Sequence, residues 1–183
     1  SILGRRNVIF GKGNYLDLVS SQMHNVYLFQ PQYAVDFREE TNYWIPYSAG
    51  CIWSYAEQFD FVKENFQRAD LFFSRLDPKV VLSRISNPRI CGFSCYLWNE
   101  QYCLEIASRI KQKWPGCFIV FGGPQVTTAS LDHDFIDSVV LSEGEDHFVS
   151  ILKDIFENRK PQQIYAKKRL DDLAIPKIGR AHV

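Results

Sequence analysis

Four short segments carry residue types that suit ligand binding. Gly122-Gly123-Pro124-Gln125 offers two glycines, which let backbone approach a bound group, and a proline that stiffens the exit. The same glycine pair serves equally well as a tight strand-to-helix turn with no ligand. Gly92-Phe93-Ser94-Cys95-Tyr96-Leu97-Trp98-Asn99 offers the Ser94 hydroxyl to a ligand edge, with Tyr96 and Trp98 as a stacking wall. A capping serine and two core aromatics account for the same residues. Ser142-Glu143-Gly144-Glu145 sets two acids around a glycine at a helix start, where the helix dipole is sufficient reason for them. Trp44-Ile45-Pro46-Tyr47-Ser48-Ala49-Gly50 suits a flat aromatic or macrocyclic ligand, or contact with another domain.

Other chemistries lack their residues. The histidines, His24, His133, His147 and His182, have no i, i+4 metal spacing. There is no nucleophile elbow, P-loop or G-x-G-x-x-G. Cys51, Cys91, Cys95, Cys103 and Cys117 are odd in number and match neither zinc nor iron–sulfur spacing. They read as reduced thiols, mostly buried, which favours a cytoplasmic setting. No residue is expected to be catalytic or to ligate a metal.

The loops need a scaffold, and composition bounds it. The chain has 183 residues, the size of one ordinary domain. Its 21 basic and 21 acidic residues cancel, which argues against a nucleic-acid partner or a polybasic membrane contact. An apolar share of 46% is that of a globular protein, and no run is long enough to span a bilayer. The residues at the beginning lack the apolar core of a secretory signal. Aromatics are plentiful, with 14 Phe, 9 Tyr and 4 Trp. Trp44, Trp53 and Trp98 are candidates for an exposed interdomain face.

Residues 1–24 read as a lead-in with a short helix over 15–21. Apolar runs at 26–29, 71–73, 89–94, 117–121 and 138–141 predict strands. Helical spacing predicts helices over 48–66, 78–87, 100–114 and 146–158, with Ser48 and Asp77 as candidate caps. Alternating apolar strands and amphipathic helices give a doubly wound α/β domain with a parallel sheet of about five strands. Ligands of such sheets sit at the carboxyl ends of the strands, where the four segments lie.

Together, in this order, the four segments resemble the N-terminal cobalamin-binding domain of cobalamin-dependent radical SAM enzymes. The resemblance covers roughly residues 25–176. It implies a flavodoxin-like (Rossmann-like) fold with strand order 2-1-3-4-5 and a cobalamin-binding domain over 25–160. It implies that Ser94, Tyr96, Leu97, Gly122, Gly123, Pro124 and Gln125 line the groove for the cobalamin tail. Tyr47, Ser48 and Glu143 would meet the corrin rim. In the wider cobalamin-binding fold a serine precedes the glycine pair by nearly thirty residues, as Ser94 precedes Gly122 here.

Two departures from the pattern matter. Many cobalamin domains carry D-x-H-x-x-G after the first strand, whose His binds cobalt. Here the stretch is Gln30-Pro31-Gln32-Tyr33-Ala34-Val35, so cobalamin is expected without a His lower ligand. The C-x-x-x-C-x-x-C that holds a 4Fe–4S cluster for S-adenosylmethionine is also absent. Residues 161–177 resemble the linker to that radical SAM barrel, so the cluster, the S-adenosylmethionine and a partner barrel in cis are expected beyond this chain. Residues 178–183 match a translated sequencing adapter, and the chain lacks an initial Met, so a fragment is expected. The intact protein would transfer a methyl group or do related radical chemistry. Rival readings are a flavin- or nucleotide-binding flavodoxin-like domain, which needs a phosphate loop after the first strand, and a non-catalytic corrinoid carrier or interaction domain.

Overall fold

A computed structural model describes residues 23–32 and 45–166. The predicted helix over 15–21, Trp44 and residues 167–183 lie outside the described residues. Among the described residues six parallel strands form one sheet in the order β2-β1-β3-β4-β5-β6. They are β1 (His24–Phe29), β2 (Phe66–Phe72), β3 (Pro88–Ser94), β4 (Phe118–Gly122), β5 (Ser138–Val140) and β6 (Ile164–Tyr165). The first five follow the expected order. The expected count of five is corrected by β6, which adds to the edge beyond β5 from within the stretch read as linker. Val139 N–H donates to Gln163 O at 2.8 Å and Leu141 N–H to Tyr165 O at 2.8 Å. A two-residue edge strand leaves no periodicity to detect.

Among the described residues five α-helices cover the sheet: α1 (Tyr47–Ala56), α2 (Asp60–Asn65), α3 (Pro78–Arg84), α4 (Glu100–Lys113) and α5 (Glu145–Phe156). The helix predicted over 48–66 is two helices and the start of β2. Phe59 takes extended backbone between them, and Asp60 opens α2, where its charge suits the dipole. Phe66 turns inward, 2% exposed, and pairs with His24. The apolar run predicts only 71–73 of this strand, because Gln67, Arg68, Ala69 and Asp70 are polar or small. They sit on the edge of the sheet as formed by the described residues, where polar side chains suit a strand with one partner. Asp77 caps α3 as expected, accepting from Lys79 N–H at 2.7 Å, with Pro78 at the first helical position. Ser48 does not cap α1; Pro46 holds that place.

The aromatic excess is largely internal. Strands in parallel register bring Phe72, Phe29, Phe93 and Phe121 side by side on one face. Their ring centroids are 4.7, 4.4 and 4.9 Å apart in sequence across the sheet. This ladder packs under α3 and α4 and stiffens the carboxyl ends of four strands. Trp53, expected to be exposed, is 7% exposed in the opposite core under α1 and α5. Trp98 is 45% exposed.

One polar knot joins α4, β4 and the start of β5. Lys111 Nζ donates to Asp137 Oδ2 at 2.7 Å and to Cys117 O at 2.9 Å. Asp137 Oδ2 also accepts from Ile119 N–H at 2.7 Å. Asp137→Ala leaves a half-buried ammonium and a strand amide without this partner. We expect a loss of about 2 kcal/mol, read as a fall in Tm of roughly 4–8 °C. An unchanged Tm would show that the knot holds nothing.

Candidate functional site: a cleft at the carboxyl edge

Strand parity gathers small residues on one face. Register pairs Leu28 with Gly92, Gly92 with Val120, Ser94 with Gly122, and Gly122 with Val140. Neighbours across a sheet, and residues two apart along a strand, project to one face. Gly92, Ser94 and Gly122 therefore share the face that α1 and α5 cover. Two absent side chains and one short hydroxyl leave a depression there. It opens into a cleft of about 290 Å³ between α1, α5 and the loops after β3, β4 and β5.

The cleft brings together eight of the expected site residues: Ser94, Tyr96, Gly122, Gly123, Pro124, Tyr47, Ser48 and Glu143. Leu97 and Gln125 are outside its lining. Leu97 is 78% exposed, and Gln125 is used through its backbone, whose N–H donates to Cys95 O at 3.3 Å. The sequence reading did not single out Gly92, Cys51, Ile52 and Phe148 as site residues, although all four line the cleft. The signal for Gly92 was available, since it lies two residues before Ser94 on the same strand. The others needed the placement of α1 and α5.

Gly123 fixes the loops relative to one another. Its φ is +107°, and a Cβ there would stand 2.5 Å from Cys95 O and 2.9 Å from Cys95 N. The absent side chain lets the β4 loop lie directly on the β3 loop, where Cys95 N–H donates to Gly122 O at 2.7 Å. Asn99, fully buried, ties in the loop after β1. Its Nδ2 donates to Pro31 O at 2.9 Å and Ser94 O at 3.2 Å, and its Oδ1 accepts from Tyr96 N–H at 2.8 Å. Gln30 Oε1 accepts from Ala49 N–H at 3.0 Å, linking the same loop to α1.

The two wall helices are clasped to each other. The Tyr55 hydroxyl on α1 donates to Asp146 Oδ1 on α5 at 2.5 Å, and this bond is the chief reason the phenol is held above its usual pKa. Ile52 reaches within 3.0 Å of where a Gly144 Cβ would be, so α5 starts close against α1. A hydrogen bond to Cys51 is the chief cause that raises Tyr47, which is 73% exposed at the mouth. Charge in the lining is acidic, from Glu143 and Glu145. Among the described residues no Lys, Arg or His lines the cleft. Groups of three or more His, Cys, Asp or Glu able to hold a metal are likewise absent among the described residues.

The thiols divide sharply. Cys91, Cys95, Cys103 and Cys117 are buried, whereas Cys51 is partly exposed on the cleft wall. Burial raises Cys91, and a hydrogen bond to Cys103 together with burial raises Cys95. Thiolate is the reactive form. An aromatic disulfide reagent should therefore modify Cys51 first in the native chain and the other four only on unfolding. Fast reaction of several thiols would contradict this packing.

Over 112 residues the chain is 30% identical to a 2-(S-pantetheinyl)-carbapenam-3-carboxylate methyltransferase of Streptantibioticus cattleyicolor. Over the same length it is 27% identical to the cobalamin-dependent radical SAM methyltransferase TokK of Streptomyces tokunonensis. Across this span the chain is homologous to cobalamin-dependent radical SAM methyltransferases. Each match takes in 59% of this chain, which spans 16% of the length of either methyltransferase. No known protein-family model matches the chain. Among solved structures, a cobalamin-binding protein of Desulfitobacterium hafniense aligns with TM-score 0.52 and 14% identity, over 72% of this chain and 58% of that one. The isolated REC domain of RcsB from Salmonella enterica aligns with TM-score 0.54 and 14% identity, over 80% and 94%. Both likenesses concern the fold alone. No described helix is long and apolar enough to cross a membrane.

Proposed function

We propose that this chain binds cobalamin and is the corrinoid module of a radical SAM methyltransferase. The observation that carries the reading is the glycine-floored cleft, formed by Gly92, Ser94 and Gly122, in a chain homologous to such methyltransferases. A volume of about 290 Å³ falls just short of the ~300–1,000 Å³ of small-molecule sites, so it suits an elongated tail rather than a whole macrocycle. The macrocycle then rests at the mouth, where Tyr47 and, stacked on Tyr96, Trp98 are exposed. Large apolar side chains left uncovered at a cleft mouth favour a flat apolar partner.

Ser94 supplies its hydroxyl to polar groups of the tail, and Tyr96 walls the groove with its ring. Glu143 and Glu145 accept hydrogen bonds from amide-bearing side chains. A flavin mononucleotide, whose phosphate monoester carries about two negative charges, fits less well than cobalamin, whose tail phosphodiester carries a single charge, because the described lining offers acids and no cation. Cobalamin, when bound, supplies a cobalt that carries a methyl group. The protein's part is to hold it, exclude water from one face, and leave the cobalt without an imidazole from the cleft.

Transfer of the methyl group, a 4Fe–4S cluster and S-adenosylmethionine belong to a radical SAM barrel in cis in the proposed whole protein. The direction of β6 supports this. It runs parallel to β5, so the chain leaves Tyr165 toward the same edge as the cleft mouth. The test is uptake of hydroxocobalamin. About one corrin per chain should co-elute on gel filtration with a shifted visible spectrum. Complete separation of corrin from protein would overturn the reading.

A further inference from the structure

Tyr96 is held in three ways, and they differ in kind. Its backbone N–H is fixed by Asn99, itself fully buried. Its ring stacks on Trp98 at 4.7 Å between centroids and 13° between planes. Its hydroxyl shares a hydrogen bond of 2.7 Å with the Ser48 hydroxyl at the first turn of α1. Both Ser48 and Tyr96 line the cleft, from α1 and from the loop after β3. The bond therefore joins one wall to the other.

These tethers have unequal strength. Asn99 makes three hydrogen bonds away from water, and breaking them leaves buried groups unpaired. The hydroxyl pair is neutral and only part-buried, and water can replace either partner. Pro46 offers no side-chain cap, and Gln30 Oε1, which accepts from Ala49 N–H at 3.0 Å, ties the first turn of α1 to the loop after β1 and not to Tyr96, so neither duplicates the link. When the cleft widens, the Ser48–Tyr96 bond is the one that opens at least cost.

We propose that the Ser48–Tyr96 pair is a gate across the cleft, and that it sets how fast ligand enters and leaves. Asn99 is the positioning residue that keeps the phenol on its hinge. Trp98, stacked on the moving ring and partly exposed, reports the motion. The gate rests on the cobalamin reading above.

The test is stopped-flow binding of hydroxocobalamin to the full chain, followed by visible absorbance and tryptophan fluorescence. Tyr96→Phe keeps the ring and its stack; Ser48→Ala removes the partner. Each should speed association and dissociation alike, by about three- to tenfold, the worth of one neutral hydrogen bond. Parallel gains in the two rates are what a gate predicts. The double variant should match either single variant, because the two hydroxyls make one bond. Faster dissociation with unchanged association would mean that Tyr96 is a contact and not a gate. Unchanged rates in both variants would overturn the proposal. Hydrogen exchange of the ligand-free chain gives a separate measure, with faster exchange in the first turn of α1 expected in both variants. If the wild-type chain takes up no corrin, the cobalamin reading and the gate fall together; unchanged exchange in the variants would overturn the latch alone.

Discussion

Gly123→Ala is expected to cost this chain about 3–4 kcal/mol, a large part of the stability of an ordinary domain. Two penalties act together. The φ of +107° lies in a region that L side chains rarely adopt. The added Cβ would also stand 2.5 Å from Cys95 O, a backbone atom at the end of a buried strand. That carbonyl cannot swing aside, because it accepts from Gln125 N–H while Cys95 N–H donates to Gly122 O. The strain passes into both ligand loops. Urea unfolding should show the midpoint fall with little change in slope. Corrin retention should fall with it. An alanine variant within 1 kcal/mol of wild type would mean that the two loops are less tightly apposed than described.

Gly122→Val should do the opposite, sparing the fold while removing ligand. Gly122 ends a strand at ordinary φ, and its Cβ would meet only Val140 at 3.7 and 3.8 Å, normal van der Waals contact. Valine suits a strand. Its methyls, however, project from the cleft floor beside Ser94. Overfilling a fitted site costs about 1–3 kcal/mol, so affinity for hydroxocobalamin should drop by roughly 10- to 100-fold. Thermal unfolding should move by no more than a few degrees. Retention of wild-type affinity would mean that the ligand does not enter between β3 and β4. The two variants together separate loop architecture from cleft occupancy.

Most of the fold was legible where the sheet is buried. Near-continuous apolar runs such as Val26-Tyr27-Leu28-Phe29 and Phe118-Ile119-Val120-Phe121 have one physical meaning, a strand covered on both faces. Legibility failed at the edges. β2 carries Gln67, Arg68 and Asp70 because one of its sides has no neighbouring strand among the described residues, and β6 is too short for any pattern. It failed again over 48–66, where apolar spacing runs unbroken through the bend at Phe59.

The site was legible to the same depth. Glycines and hydroxyls at strand ends mark loops that can approach a ligand, and the order of four such loops pointed to a cobalamin domain. Leu97 and Gln125 belong to the same motifs yet face elsewhere, since one exposed side chain and one backbone contact look alike in a sequence.

By itself, then, the sequence determined the alternation of strands and helices, the loops that gather at one edge, and the lack of a histidine after the first strand. These follow from local pattern and residue type. Only the tertiary structure decided that Gly92, Ser94 and Gly122 share one face beneath α1 and α5. It alone decided that Gly123 must be glycine because of Cys95, that four phenylalanines pack ring against ring inside, and that Ser48 meets Tyr96. Each of these depends on strand register and on residues far apart in the chain, which local pattern does not encode.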